Sequence, residues 1–177
     1  MNVLRLLDRA TTGWRAPALL AAGGVGAIAA ALFMQHVVGV QPCILCIYQR
    51  IPYVAIGMLG LLALVFGRHR GVRVTLLGLI ALAMLIDCGI AVFHVGIEHH
   101  LWSATPGCGV PAPAATVEEL RARMMEGPIV RCDEVSWSLF GVSLAGYNIL
   151  LTLGLAAFAI VAAVRAAQPA RRRTDAR

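Results

Sequence analysis

The sequence predicts an all-α integral membrane protein, a four-helix bundle with a long, partly helical loop on one side. Three observations predict it. The 177 residues are 59% hydrophobic and 14% charged, with a mean hydropathy of +0.79, whereas soluble domains carry about 25% charged residues. Four stretches, at about 16–40, 47–67, 73–97 and 139–164, are nearly free of charge. Each supplies the roughly 20 residues a helix needs to cross about 30 Å of hydrocarbon. The arginines fall between those stretches, in clusters. Composition excludes a soluble enzyme and a disordered chain, and one membrane domain over 1–177 accounts for the length.

The first stretch has 25 residues, with Gln35 and His36 its strongly polar members. That exceeds the 7–15-residue apolar region of a signal peptide and reads as a retained span. The second gains length if its helix begins near Ile47. Asp87 interrupts the third, and the fourth is uncharged. Backbone groups in lipid must be satisfied internally, and the alternation of a barrel strand is absent, so all four are helices.

All 15 basic residues are Arg. Eleven form three clusters, at Arg5, Arg9 and Arg15, at Arg68, Arg70 and Arg73, and at Arg165, Arg171, Arg172, Arg173 and Arg177. Basic flanks of this kind mark the cytoplasmic side. Both termini and the turn near 67–73 are therefore expected in the cytoplasm, and segments at about 40–47 and 98–138 on the other side. The longer segment carries Arg121, Arg123 and Arg131 against six acids, the opposite bias. The arginines record topology, since no recognition element for nucleic acid accompanies them.

Within the long segment, Thr116 and Glu119 form a T-x-x-E capping box. Val117, Leu120 and Met124 follow at helical spacing, and Gly127-Pro128 stops the run. Val117–Glu126 is expected to be a short amphipathic helix, lying on the bilayer surface or packed on its own loop.

Of five cysteines, Cys43, Cys46, Cys108 and Cys132 fall in the two non-cytoplasmic segments, where disulfides persist. Cys43 and Cys46 form a C-x-x-C. Zinc is the competing reading of such a pair, with His99 and His100 as further donors, but Cys108 and Cys132 are 24 residues apart and make no second close pair. No resident metal is expected. Cys46 lies near a helix N-terminus with Arg50 one turn on, and both features stabilise a thiolate. Arg50 alone reads as an interfacial anchor. Cys108 sits in a Pro/Gly-rich stretch, exposed to another protein's thiol, and Cys132 closes the loop; the plain alternative is a structural staple. Cys88 reads as a small apolar residue. Asp87, a carboxyl inside a span, is expected to carry function, paired with a polar group such as Asn148 or relaying a proton. His94 and Glu98, four residues apart, are interfacial polar groups, metal ligands or a proton path.

Pro42-Cys43-Ile44-Leu45-Cys46-Ile47-Tyr48-Gln49-Arg50 resembles the P-C-x-L-C-x-x-x-R signature of the disulfide bond formation protein B (DsbB) family of bacterial inner-membrane thiol:quinone oxidoreductases. The likeness covers nearly the whole chain, including Cys132-Asp133-Glu134-Val135 and Trp137 to Gly141 before the last helix. It implies a disulfide-generating oxidoreductase of the inner membrane with its redox cysteines periplasmic. Cys108 and Cys132 would form the disulfide attacked by a reduced DsbA-like thiol oxidase, with Cys108 in the mixed disulfide. Electrons would pass to Cys43 and Cys46 and on to ubiquinone or menaquinone. Cys46 would face the quinone, Arg50 would stabilise the thiolate or a quinone oxygen, and His94 would lie close by. Glu98 falls where some members carry Gln.

The resemblance leaves neighbouring readings: a DsbI-like oxidase dedicated to one substrate, and a non-enzymatic metal-binding or scaffolding membrane protein. Vitamin K epoxide reductase relatives usually carry their C-x-x-C at the end of a late helix and fit less well.

Overall fold

The computed structural model describes residues 7, 10–104, 108, 116–118, 121, 125 and 130–168. Four helices, each long and apolar enough to cross a membrane, dominate it: α1 (Arg15–His36), α2 (Ile44–Phe66), α3 (Arg70–Glu98) and α4 (Leu144–Ala167). A two-stranded hairpin, β1 (Ser138–Leu139) and β2 (Val142–Ser143), pairs Ser138 with Ser143 and Leu139 with Val142 just before α4.

Several helix limits differ from the hydropathy limits, three of them for a plain local reason. α1 stops at His36, and Gly39 then turns the chain with a φ of +85°. α2 starts at Ile44 because Cys43 caps it, its sulfur accepting from the Cys46 amide. α4 starts at Leu144, five residues beyond the apolar boundary, because the hairpin takes the intervening residues. The turn residues Phe140 and Gly141 both have positive φ, as a tight hairpin requires. Ser143 then caps α4, accepting from the Gly146 amide at 3.1 Å.

α1 packs on α2, α2 on α3 and α3 on α4, whereas α1 and α4 scarcely touch. Small residues permit the close approaches, as in other membrane bundles. A Cβ on Gly24 would meet the Tyr53 carbonyl oxygen at 2.6 Å, and one on Gly60 would meet the Ala21 Cβ at 2.8 Å. Ala156, Ala159 and Ala162 of α4 face Ile80, Ala81 and Met84 of α3 in the main core. Large side chains such as Met58, Leu61 and Leu150 point outward. Lipid replaces water as the outer solvent, so apolar bulk outside carries no penalty.

Of the expected surface helix over Val117–Glu126, only Val117, Glu118, Arg121 and Met125 are described, each helical. Glu119 of the capping box, the stripe residues Leu120 and Met124 and the Gly127-Pro128 stop lie outside the described residues.

Candidate functional site

Four cysteines from three parts of the chain meet at one end of the bundle. Cys43, Cys108 and Cys132 share a buried cluster with Leu45 and Ile97, and Cys46 packs against it. No disulfide joins them among the described residues. The Sγ atoms of Cys43 and Cys46 lie 3.1 Å apart, and the Cys132 amide donates to the Cys108 carbonyl at 3.2 Å. The two pairs thus pack in one buried cluster.

Cys108 is a correction to the sequence reading. A Pro/Gly-rich stretch suggests an exposed sulfur, yet Cys108 is 0% exposed, as is Cys132. The apolar cluster that gathers the four sulfurs also covers them. Burial, followed by the hydrogen bond with Cys108, raises the Cys132 thiol above the ordinary range.

The preferred thiolate also differs from the expectation. Cys46 lies inside the first turn of α2, but Cys43 stands at the N-cap, where its sulfur lies against the Cys46 sulfur and accepts from the Cys46 backbone amide. His94 of α3 adds a contact from Nε2 to the Cys43 Sγ at 3.4 Å. Cys43 is therefore held well below the ordinary thiol range, by the Cys46 thiol first and then by His94, against the opposing effect of burial. The N-cap sulfur faces the free amides of the first turn, whereas a residue within that turn does not.

A cavity of about 320 Å³ opens beside the cysteines where α1 and α4 separate. Ala27, Ala31 and Met34 line one wall and Ala145 and Leu151 the other, with Cys43, Cys46, Arg50 and His94 at its polar part. Arg50 shares the cavity with the cysteines but makes no hydrogen bond or ion pair among the described residues. Glu98 lies 4.0 Å from His94 Nε2 and accepts from the Ser143 hydroxyl at 2.5 Å, tying the end of α3 to the start of α4.

Three lining residues were not singled out as cavity groups by the sequence. Gln49 is buried and its Nε2 has no partner. Tyr53 donates to the Asn148 side-chain oxygen, and Asn148 Nδ2 donates to Asp87 at 3.3 Å, the pairing anticipated for that acid. Helical spacing was the available signal. Gln49 and Tyr53 stand three and seven residues after Cys46, and Asp87 stands seven before His94, each set along one face.

The chain matches the family model described as "Disulfide bond formation protein DsbB" over residues 14–162. The chain belongs to the DsbB family. Among its relatives named disulfide bond formation protein B, that of Stutzerimonas stutzeri is 31% identical over 133 residues, 73% of this chain and 81% of the relative. That of Saccharophagus degradans is 31% identical over 84% of this chain and 92% of its own, and that of Dechloromonas aromatica 29% over 84% and 90%. As a DsbB-family protein with four apolar helices, it is a multi-pass inner-membrane oxidoreductase of disulfide formation.

Proposed function

We propose that this DsbB-family protein reoxidises a periplasmic DsbA-like thiol oxidase and passes the electrons to a membrane quinone. The observation that carries the reading is the packing of Cys108 and Cys132 in one cluster with Cys43 and Cys46, the pair that lines the polar part of an apolar cavity between α1 and α4. Both termini are cytoplasmic and the cysteines periplasmic, in keeping with the arginine clusters.

The catalytic residues are Cys43, Cys46, Cys108 and Cys132. In the first exchange, the partner's dithiol is oxidised while a Cys108–Cys132 disulfide is reduced, through a mixed disulfide at Cys108. In the second, the Cys108–Cys132 dithiol returns to the disulfide as a Cys43–Cys46 disulfide is reduced. Each step makes one S–S bond and breaks one. The closed cluster must open for the first, because Cys108 is covered.

Residues present suit a quinone. The unpartnered Gln49 Nε2 and the Arg50 guanidinium are donors for ring oxygens, Cys46 lies beside them, and the alanine-rich wall of α1 suits a flat apolar ring. A bound quinone supplies the acceptor for two electrons and two protons as the Cys43–Cys46 disulfide forms. His94 Nε2 stands where it can pass a proton to or from Cys43, and Arg50 supplies a guanidinium where negative charge develops. The potential of a DsbA-type oxidase, about −120 mV, requires an acceptor at least that oxidising.

Purified protein given a reduced DsbA-like oxidase and a ubiquinone analogue should consume the quinone absorbance, and Cys46→Ala should abolish this. Undiminished turnover in that variant overturns the assignment. One observation favours a second reading. The ligand atoms of Cys43, Cys46 and His94 lie within 4.8 Å of one another, close enough for a thiophilic ion. Stoichiometric zinc or copper in protein without redox-active cysteines would support a metal-binding role instead.

A further inference from the structure

Asp87 is 0% exposed in the middle of α3, and the relay described above does not use it. Its Oδ2 accepts from Asn148 Nδ2 of α4, while its Oδ1 has no partner among the described residues. Asn148 Oδ1 in turn accepts from the hydroxyl of Tyr53 on α2. The chain of groups crosses three helices and ends at the cavity, whose wall includes Tyr53 and Asn148 but not Asp87.

A phenol and an amide would tie α2 to α4 unaided. Adding a carboxyl brings a heavy desolvation penalty, and it does one thing the pair cannot do. It fixes the sense of the hydrogen bonds. The carboxyl Oδ2 accepts, so the amide must turn its NH₂ towards α3 and its oxygen towards Tyr53. A phenol has one hydrogen, and Tyr53 commits it to that oxygen. Only lone pairs then remain to face the cavity. With no acid at position 87, the amide is free to flip, and the hydroxyl is free to donate into the cavity.

We propose that Asp87, acting through Asn148, holds the Tyr53 hydroxyl as a hydrogen-bond acceptor towards the cavity, so that the site prefers a quinol to a quinone. The inference rests on the quinone reading of the cavity. Quinone oxygens only accept, whereas quinol hydroxyls donate. When two thiols become a disulfide and both hydrogens pass to the ring oxygens, a hydroxyl formed within reach of Tyr53 meets an acceptor that the starting ketone could not use. Tyr53 touches the ligand; Asp87 and Asn148 are positioning residues. One such hydrogen bond corresponds to about a fivefold preference. For a two-electron couple, a fivefold preference for the reduced form raises its potential by about 20 mV, towards stronger oxidation of the thiols.

The test is equilibrium binding of decylubiquinone and of decylubiquinol to full-length protein in detergent, by anaerobic calorimetry. A Cys43→Ala/Cys46→Ala background prevents electron exchange with either ligand. In that background the quinol should bind about fivefold more tightly than the quinone. Tyr53→Phe should bring the ratio close to one by weakening the quinol alone, and Asp87→Asn should do so by strengthening the quinone, to which the freed hydroxyl can donate; thermal unfolding verifies that each variant is folded. A purely structural role predicts lower thermal stability, or equal losses for both ligands, with the ratio intact; that result overturns the inference while leaving quinone binding in place. Binding of neither ligand to the parent protein removes the quinone reading and the inference together. A ratio lost in Tyr53→Phe but kept in Asp87→Asn overturns the role of Asp87. If Asp87→Asn does not fold, Asn148→Ala decides, since it cuts the link between Asp87 and Tyr53: a ratio that stays at about fivefold there overturns the role of Asp87.

Discussion

The Cys43 sulfur lies 3.4 Å from His94 Nε2, a residue 51 positions further along the chain and on a different helix. The contact joins the N-cap of α2 to the last turns of α3. It brings a nucleophilic group and a proton carrier together in a nearly water-free cluster, and it sets the first expectations for this protein.

Replacing His94 with Leu removes that partner while keeping much of the volume. The Cys43 thiol should titrate higher while staying below the ordinary range, because Cys46 is the larger cause of its lowering, and at neutral pH quinone turnover should fall by about tenfold or more through the loss of a proton carrier. Ultraviolet thiolate absorbance against pH and steady-state turnover check the two parts.

Acidification should spare the Cys43 thiolate over a range where an ordinary thiol is fully protonated. Its pKa is lowered, so the anion persists as pH falls through the free-cysteine region near 8.5 and is lost only on further acidification. In Cys46→Ala the strongest donor to Cys43 is gone, and the titration should move back up towards the ordinary range. An unmoved curve would show that Cys46 does not set the ionisation of Cys43.

Gly60→Leu should destabilise the bundle by about 1–3 kcal/mol, the usual effect of overpacking a tight contact. Its Cβ alone would meet the Ala21 Cβ at 2.8 Å and the Pro17 carbonyl oxygen at 2.9 Å. Thermal unfolding in detergent measures the loss. Gly26, whose Cβ would meet nothing within 4 Å, is the control, and Gly26→Ala should unfold near the wild-type temperature.

Sidedness has its own test. An alkaline phosphatase fused after Ser103 should be exported and active, and one fused after His69 should stay inactive, because the arginines around Arg68–Arg73 hold that turn in the cytoplasm. The reverse pattern would place the cysteines in a reducing compartment and end the proposed relay.

Much of the fold was readable because its signals are local. Each apolar run reports its own helix, and the C-x-x-C with Arg50 marks, within eight residues, side chains that the fold places in one cavity. What escaped reading was also local in part. Hydropathy could not distinguish the β1–β2 turn from the start of α4, because Leu139, Phe140 and Val142 are as apolar as the helix that follows. The exposure of Cys108 was misjudged for the opposite reason: Pro and Gly report irregular backbone, and irregular backbone can still be covered by a neighbouring cluster.

By itself, then, the sequence determined the number of membrane helices, the family and the cysteines at issue, because hydrophobicity, charge and motif spacing are properties of neighbouring residues. Only the tertiary structure decided that Cys43 rather than Cys46 caps α2 beside His94, that the two cysteine pairs share one buried cluster, and that Asp87 reaches the cavity through Asn148 and Tyr53. Those facts depend on how helices are rotated and spaced against one another. That arrangement is set by the packing of small residues between helices, which no single stretch of chain specifies.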